Sequence, residues 1–278
     1  MWLPWNDAAL MAAVLAAFVV TVRPGSRRSL QITSAFTKEI AIVLTLYAIW
    51  QLAGHLSLVH VDGAIDRGRW IWDVERAWHL LSEVTVQRQA LAHPLEIQFA
   101  NLYYAGIHVP ALIIFLIWLF VLHRSRYPKV RNTLALLTAA CLVIQFLPVA
   151  PPRFIPGIGI VDAPALYHQS VYGPVGTGIA AQLSAMPSVH VAWALLVGLA
   201  AVMISRSRWR FLVLAHPVLT IWAVVATGNH YWADGIVAAV LLGLAAGVQR
   251  WHPVLAVRSR FGRPAKAAVA PDREPQRV

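Results

Sequence analysis

The sequence predicts an all-α integral membrane protein of about seven transmembrane helices, with an amphipathic helix lying at the extracytoplasmic interface. Three observations predict it. Of 278 residues, 59% are hydrophobic and 13% charged, whereas soluble domains carry about 25% charged residues. The mean hydropathy of +0.62 points the same way. The apolar residues also gather into runs of membrane-spanning length, and the basic residues cluster between alternate runs.

The first apolar run covers about residues 6 to 22. It has neither a basic leader nor a small-residue cleavage site, so it reads as a retained helix, with Trp2 and Trp5 at its interface. A second span runs from about 39 to 58. Residues 1–60 therefore form a unit of two N-terminal transmembrane helices.

Residues 61–98 break the pattern. Six acidic residues lie from Asp62 to Glu96, among Arg67, Arg69, Arg76 and Arg88. Ile71, Val74, Trp78 and Leu81 recur at helical spacing, with Asp73, Glu75, Arg76 and Glu83 elsewhere on the wheel. The segment is too charged to cross a membrane and reads as an interfacial amphipathic helix, its tryptophans at headgroup depth. A lid packed over the other spans fits the same pattern.

Residues 99–250 hold the remaining spans, at about 101–122, 133–149, 188–204, 211–227 and 231–249. Between the second and third of these runs a Gly- and Pro-rich loop of about 35 residues, with Tyr167, His168 and Tyr172, leading into Ser188 and His190; such loops are commonly functional or disordered. Residues 251–278, rich in Arg, Pro and Ala, have little to bury and are expected to be a disordered basic tail, able to meet anionic lipid.

The net charge of +11 does not point to nucleic acid, because the charges are not on one face. Eighteen of 23 Lys and Arg fall in four segments: Arg23 to Lys38, Arg124 to Arg131, Arg206 to Arg210, and Arg250 onward. With these in the cytoplasm, the N-terminus lies outside and the C-terminus inside. The chain's one cysteine, Cys141, lies inside an apolar run and reads as a small buried residue, which rules out an internal disulfide and a cysteine-based metal cluster.

Three short segments carry the chemistry: Pro151-Pro-Arg153, Met186-Pro-Ser188-Val-His190, and Asn229-His230-Tyr-Trp-Ala-Asp234. Each sits at an end of an apolar run, and the charge-derived topology brings all of them to the outer face. Arginine offers a planar fork of donors to phosphate oxygens. Two histidines can divide nucleophilic and acid–base work. Asp234, the only acidic residue in the last five spans, follows His230 at i+4 and can fix its tautomer. An Asp capping its own helix, an Arg153 that snorkels to headgroups and a Ser188 that caps the next helix are the structural readings of the same residues. Asn101, Tyr104 and His108 form a polar cluster in the third span, suited to substrate contact or to hydrogen bonds between helices. His216, before Pro217, reads as a local helix feature.

Arg153, Ser188-x-His190 and His230-Tyr-x-x-Asp234 resemble the signatures of the type 2 phosphatidic acid phosphatase (PAP2) superfamily over roughly residues 100 to 250. The branch that looks nearest contains the inositol-phosphorylceramide and sphingomyelin synthases, in which His-Tyr-x-x-Asp is typical and a Tyr and a His resemble Tyr104 and His108. The departures are Phe146 where the first signature often has lysine, Val189 where the second has glycine, and Val224 where the third often begins with Ser-Arg.

The resemblance implies a six-helix core and a lipid phosphatase acting on a lipid phosphate or pyrophosphate through a phosphohistidine, without metal or cofactor. His230 would be the nucleophile, Asp234 its orienting carboxylate and His190 the acid–base group, with Arg153 and Ser188 binding the phosphate. The missing phosphate-holding groups keep open a phosphotransferase moving a phospho-headgroup such as phosphoinositol to a lipid or polyol hydroxyl. A reading from another class is lipid-phosphate binding or translocation without bond breaking. In all of these the partners are the bilayer and a lipid phosphate or phospholipid, and no nucleic acid.

Overall fold

The computed structural model describes residues 4–21, 28–56, 62–169 and 182–251. Trp2, Tyr172 and the 252–278 tail lie outside the described residues. Among the described residues the fold is all-helical: α1 (Trp5–Thr21), α2 (Arg28–Leu56), α3 (Ala64–Ala77), α4 (Glu83–Leu91), α5 (Pro94–Gly106), α6 (His108–Leu122), α7 (Tyr127–Gln145), the short α8 (Ala163–Leu166), α9 (Val189–Ile204), α10 (Ala215–Ala226) and α11 (Trp232–Trp251). Extended pairing among them is a single parallel bridge between Val149 and Ser184.

The protein's outside is apolar, as lipid requires. Ile113, Ile114, Ile117 and Val121 on α6, Met203 on α9, Val218 on α10, and Ile236, Val240 and Leu244 on α11 are all exposed, an arrangement that a soluble protein avoids in patches of this size. Small residues fill the inside. Ala192 and Ala223 are completely buried, and Ala226 and Ala238 likewise, so α9, α10 and α11 approach closely around Val191, Leu196, Val224 and Leu242.

Among the described residues two helices are long and apolar enough to cross a membrane, Arg208–Ala226 and Trp232–Gln249, and a third crossing results if α5 and α6 count as one span bent by 51°. Helices α1 and α9 are apolar but shorter. The apolar run expected at 101–122 is thus broken in two. Pro110 explains the break: it has no N–H to give the Gly106 carbonyl, and its ring crowds that carbonyl. A second proline, Pro217, follows a 3₁₀ turn over Arg208–Leu214 for the same reason.

The charged segment also differs from its sequence reading. It forms two helices, α3 and α4, and the face of α3 that is buried carries Ala64, Gly68, Ile71 and Glu75. Trp78 and Leu81, expected on the apolar stripe, are 71% and 61% exposed, whereas Glu75 and Glu83 are 1% and 0% exposed. The wheel misleads because α3 packs on the Val149–Ala150 corner and on Tyr231, and the N–H groups at the start of α11 draw Glu75 inward. A Cβ added at Gly68 would stand 2.7 Å from the Ala150 carbonyl oxygen and 2.8 Å from the Tyr231 hydroxyl, so only glycine permits this approach. The inner face of α3 packs on Val149, Ala150 and Tyr231, while Trp70 and Trp78 are exposed.

Candidate active site

The corner after α7 is built first. Val149 N–H donates to the Leu183 carbonyl at 2.6 Å and Ala185 N–H to the Val149 carbonyl at 3.1 Å. Ala150 N–H reaches the Ala64 carbonyl at 3.0 Å, and Gln145 Nε2 donates to the Pro187 carbonyl at 3.1 Å. These bonds tie the end of α7, the start of α3 and the approach to α9 into one frame. A 3₁₀ turn over Pro152–Phe154 then turns Arg153 inward, where it is 8% exposed.

Arg153 is held on several sides. Its backbone N–H donates to the Gly228 carbonyl at 3.1 Å, its Nη2 donates to Gln182 Oε1 at 3.1 Å, and its Nε lies 3.4 Å from Asp162 Oδ2. The guanidinium stacks over Phe154, 4.7 Å from the ring centre. Gly228 has φ +70°, and a Cβ there would meet Ile160 at 2.8 Å and the Arg153 Cβ at 3.3 Å. The turn into Asn229 and His230 therefore needs glycine.

Ser188 is the N-cap of α9, accepting from Val191 N–H at 3.3 Å, and is completely buried. The cap reading of Ser188 is met. His190 stands in the first turn of α9. Its ring centre is 5.9 Å from that of His230.

His230 precedes α11 by two residues and is 5% exposed. Its Nδ1–H is shared between the Ala185 carbonyl at 2.7 Å and Asp234 Oδ2 at 3.0 Å. Two acceptors at Nδ1 fix the proton there and leave the Nε2 lone pair for chemistry. Burial pushes this imidazole down to about 4; the bond to Ala185 opposes the shift and the Arg153 charge adds to it. Asp234 is completely buried and its Oδ2 also accepts from Tyr231 N–H at 2.9 Å. The carboxylate is therefore an orienting group and a helix-start cap at once, a half capping box in which an N3 side chain reaches back to the N-cap N–H.

The third-span cluster divides. Tyr104 and His108 reach the histidines: the Tyr104 ring centre is 4.6 Å from that of His190, and that of His108 is 4.8 Å from it. His108 Nδ1–H donates to the Tyr104 carbonyl at 3.1 Å, while its Nε2 is buried without a hydrogen-bond partner among the described residues. Asn101 instead turns its amide to Gln169 Oε1 at 2.9 Å and to the Ala163 carbonyl at 3.4 Å, tying α5 to the loop over the site. His216 is more than a local helix feature, since Tyr103 Oη lies 2.7 Å from its Nδ1 and its ring centre is 5.9 Å from that of His108.

Sequence reasoning missed Gln87, whose amide bridges α4 to the site loops through Val161 N–H at 2.8 Å and the Ala226 carbonyl at 3.1 Å. It also missed Gly228, though a glycine just before Asn-His is a turn signal. Among the described residues, no three His, Cys, Asp or Glu side chains form a set that would hold a metal ion.

A buried imidazole with its orienting carboxylate, a half-buried second imidazole and a buried guanidinium are the groups suited to handling an anion by nucleophilic and acid–base chemistry. A family model, the PAP2 superfamily, matches residues 69–248, about two thirds of the chain, beginning within α3 rather than near residue 100. The chain belongs to the PAP2 superfamily, whose membership suggests activity of the phosphatase or phosphotransferase type. Neither a curated protein nor a solved structure matches it.

Proposed function

We propose that the protein is a membrane lipid phosphatase that cleaves a lipid phosphate or pyrophosphate through a phosphohistidine on His230. The observation that carries this reading is the His230 Nδ1–H held between Asp234 and Ala185, which aims a neutral Nε2 away from its anchors. Nε2 attacks phosphorus, the P–O bond to the lipid breaks, and His190 gives its proton to the departing oxygen. Water then loses a proton to His190 and attacks phosphorus, the P–N bond breaks, and His230 returns to its neutral form. Arg153, Ser188 and the first N–H groups of α9 bind the equatorial oxygens. No metal enters these steps.

The bilayer arrangement belongs to the same proposal. The seven apolar runs cross the membrane and the four basic segments face the cytoplasm, with the C-terminus inside and the site opening to the extracytoplasmic side. The exposed apolar side chains along α6, α9, α10 and α11 support a lipid setting.

A second reading, phosphotransfer to an alcohol, is favoured by His108. Its buried Nε2 lacks a partner among the described residues beside His190 and Tyr104, where the hydroxyl of a lipid or polyol acceptor would satisfy it. The test is mass spectrometry of products from a panel of lipid phosphates and phospholipids, with and without lipid alcohols, in EDTA. Free phosphate defines the hydrolase and a new phosphodiester the transferase. Lipid binding with no product from any substrate would refute both in favour of the non-catalytic reading.

A further inference from the structure

Glu75 lies outside the motifs, on α3, yet it reaches the helix that carries Asp234. Its Oε1 accepts from Ala233 N–H at 2.7 Å, the amide next to Asp234 in the first turn of α11. A buried carboxyl far away in sequence thus supplies one of the acceptors that the start of a helix needs. The Asp234 carboxylate supplies another, through Tyr231 N–H. Together they fix the rotation of α11's first turn, and with it the direction from which Asp234 meets His230.

The other half of Glu75 is equally constrained. Glu83 Oε2 receives Arg76 Nη2 at 2.7 Å, and Glu83 is 0% exposed. That leaves Glu75 Oε2 and Glu83 Oε1, both buried and both without a donor among the described residues. Two carboxyl oxygens in this position are satisfied together by one proton held between them. The groups facing the pair are Arg76 on α3, Glu83 on α4, and Tyr231 and Asp234 at α11.

We propose that Glu75 is a positioning residue, and that a proton shared by Glu75 and Glu83 locks α3 to the start of α11 and thereby orients Asp234 against His230. The inference rests on the reading of His230 and Asp234 as the catalytic pair. Burial, with the bond to Glu83, raises the Glu75 carboxyl to about 9, while the Ala233 N–H opposes the shift. The sign follows. Glu75 stays protonated in the folded protein between its ordinary range and about pH 9. The lock is therefore present below about pH 9 and is lost as pH rises through that value.

The experiment uses the full chain in detergent, labelled with ¹⁵N-histidine, with the His230 Nδ1–H resonance assigned by its loss in His230→Ala. Glu75→Gln keeps an acceptor for Ala233 and offers Glu83 a donor, so the resonance should stay at its wild-type position. Glu75→Ala should shift or broaden it. On titration from pH 7 to 10, the wild-type resonance should move and that of Glu75→Gln should not. An unchanged resonance in Glu75→Ala, or a Glu75→Gln titration matching the wild type, would overturn the proposal. If Glu75→Ala fails to fold, the titration of Glu75→Gln alone decides. Turnover of a lipid phosphate retained in His230→Ala would instead overturn the catalytic pair, a separate result.

Discussion

Asp234 Oδ2 lies 3.0 Å from His230 Nδ1 and 2.9 Å from the Tyr231 N–H between them. One oxygen thus orients the imidazole and starts the helix. An amide in its place keeps the shape but can present N–H to a nitrogen that must donate. Asp234→Asn should lower kcat on the order of 10³- to 10⁴-fold, the scale seen when a triad carboxylate is lost. Its melting temperature should fall by only a few degrees, read by thermal unfolding in the same detergent.

The position of His230 in pH has a kinetic consequence. An imidazole pushed down to about 4 by burial is neutral, and so nucleophilic, across the whole neutral range. The acid limb of kcat/KM attributable to the nucleophile should therefore lie near pH 4 rather than in the ordinary imidazole range of about 6.5. A pH–rate profile on a substrate whose own phosphate pKa is known separates the two titrations.

Gly228 connects the two halves of the anion site, because its carbonyl receives Arg153 N–H at 3.1 Å just before His230. Gly228→Ala introduces a Cβ at positive φ and 2.8 Å from Ile160. Strain of this kind costs about 1–3 kcal/mol. Both a lower melting temperature and a raised KM for the phosphate substrate should follow, measured on the purified variant.

Ser188 does two jobs that can be separated. Alanine at an N-cap costs about 0.5–2 kcal/mol, glycine only a few tenths. Ser188→Gly should therefore stay close to wild type in thermal stability while losing activity about as far as Ser188→Ala. Equal activity in wild type and glycine variant would reduce Ser188 to its cap.

Much of the site was legible in the sequence because its residues act through local spacing. His230 and Asp234 are one helical turn apart, and Ser188 follows Pro187 at the head of an apolar run, so their pairing and capping need no tertiary knowledge. The face that α3 buries was not legible. A helical wheel sorts Glu75 to the solvent side, and only the approach of α11's free N–H groups makes its burial favourable. The same holds for His216, whose partner Tyr103 is more than a hundred residues away. The break in the third span was open to inspection, since Pro110 stands four residues after Gly106.

The most direct measurement is peptide mass mapping of the full-length protein after alkaline quench during turnover of a lipid phosphate. The account predicts a phosphoryl group on His230 that is stable to base, labile to acid and absent in His230→Ala. Turnover with His230 unmodified, or the adduct on another residue, would contradict it.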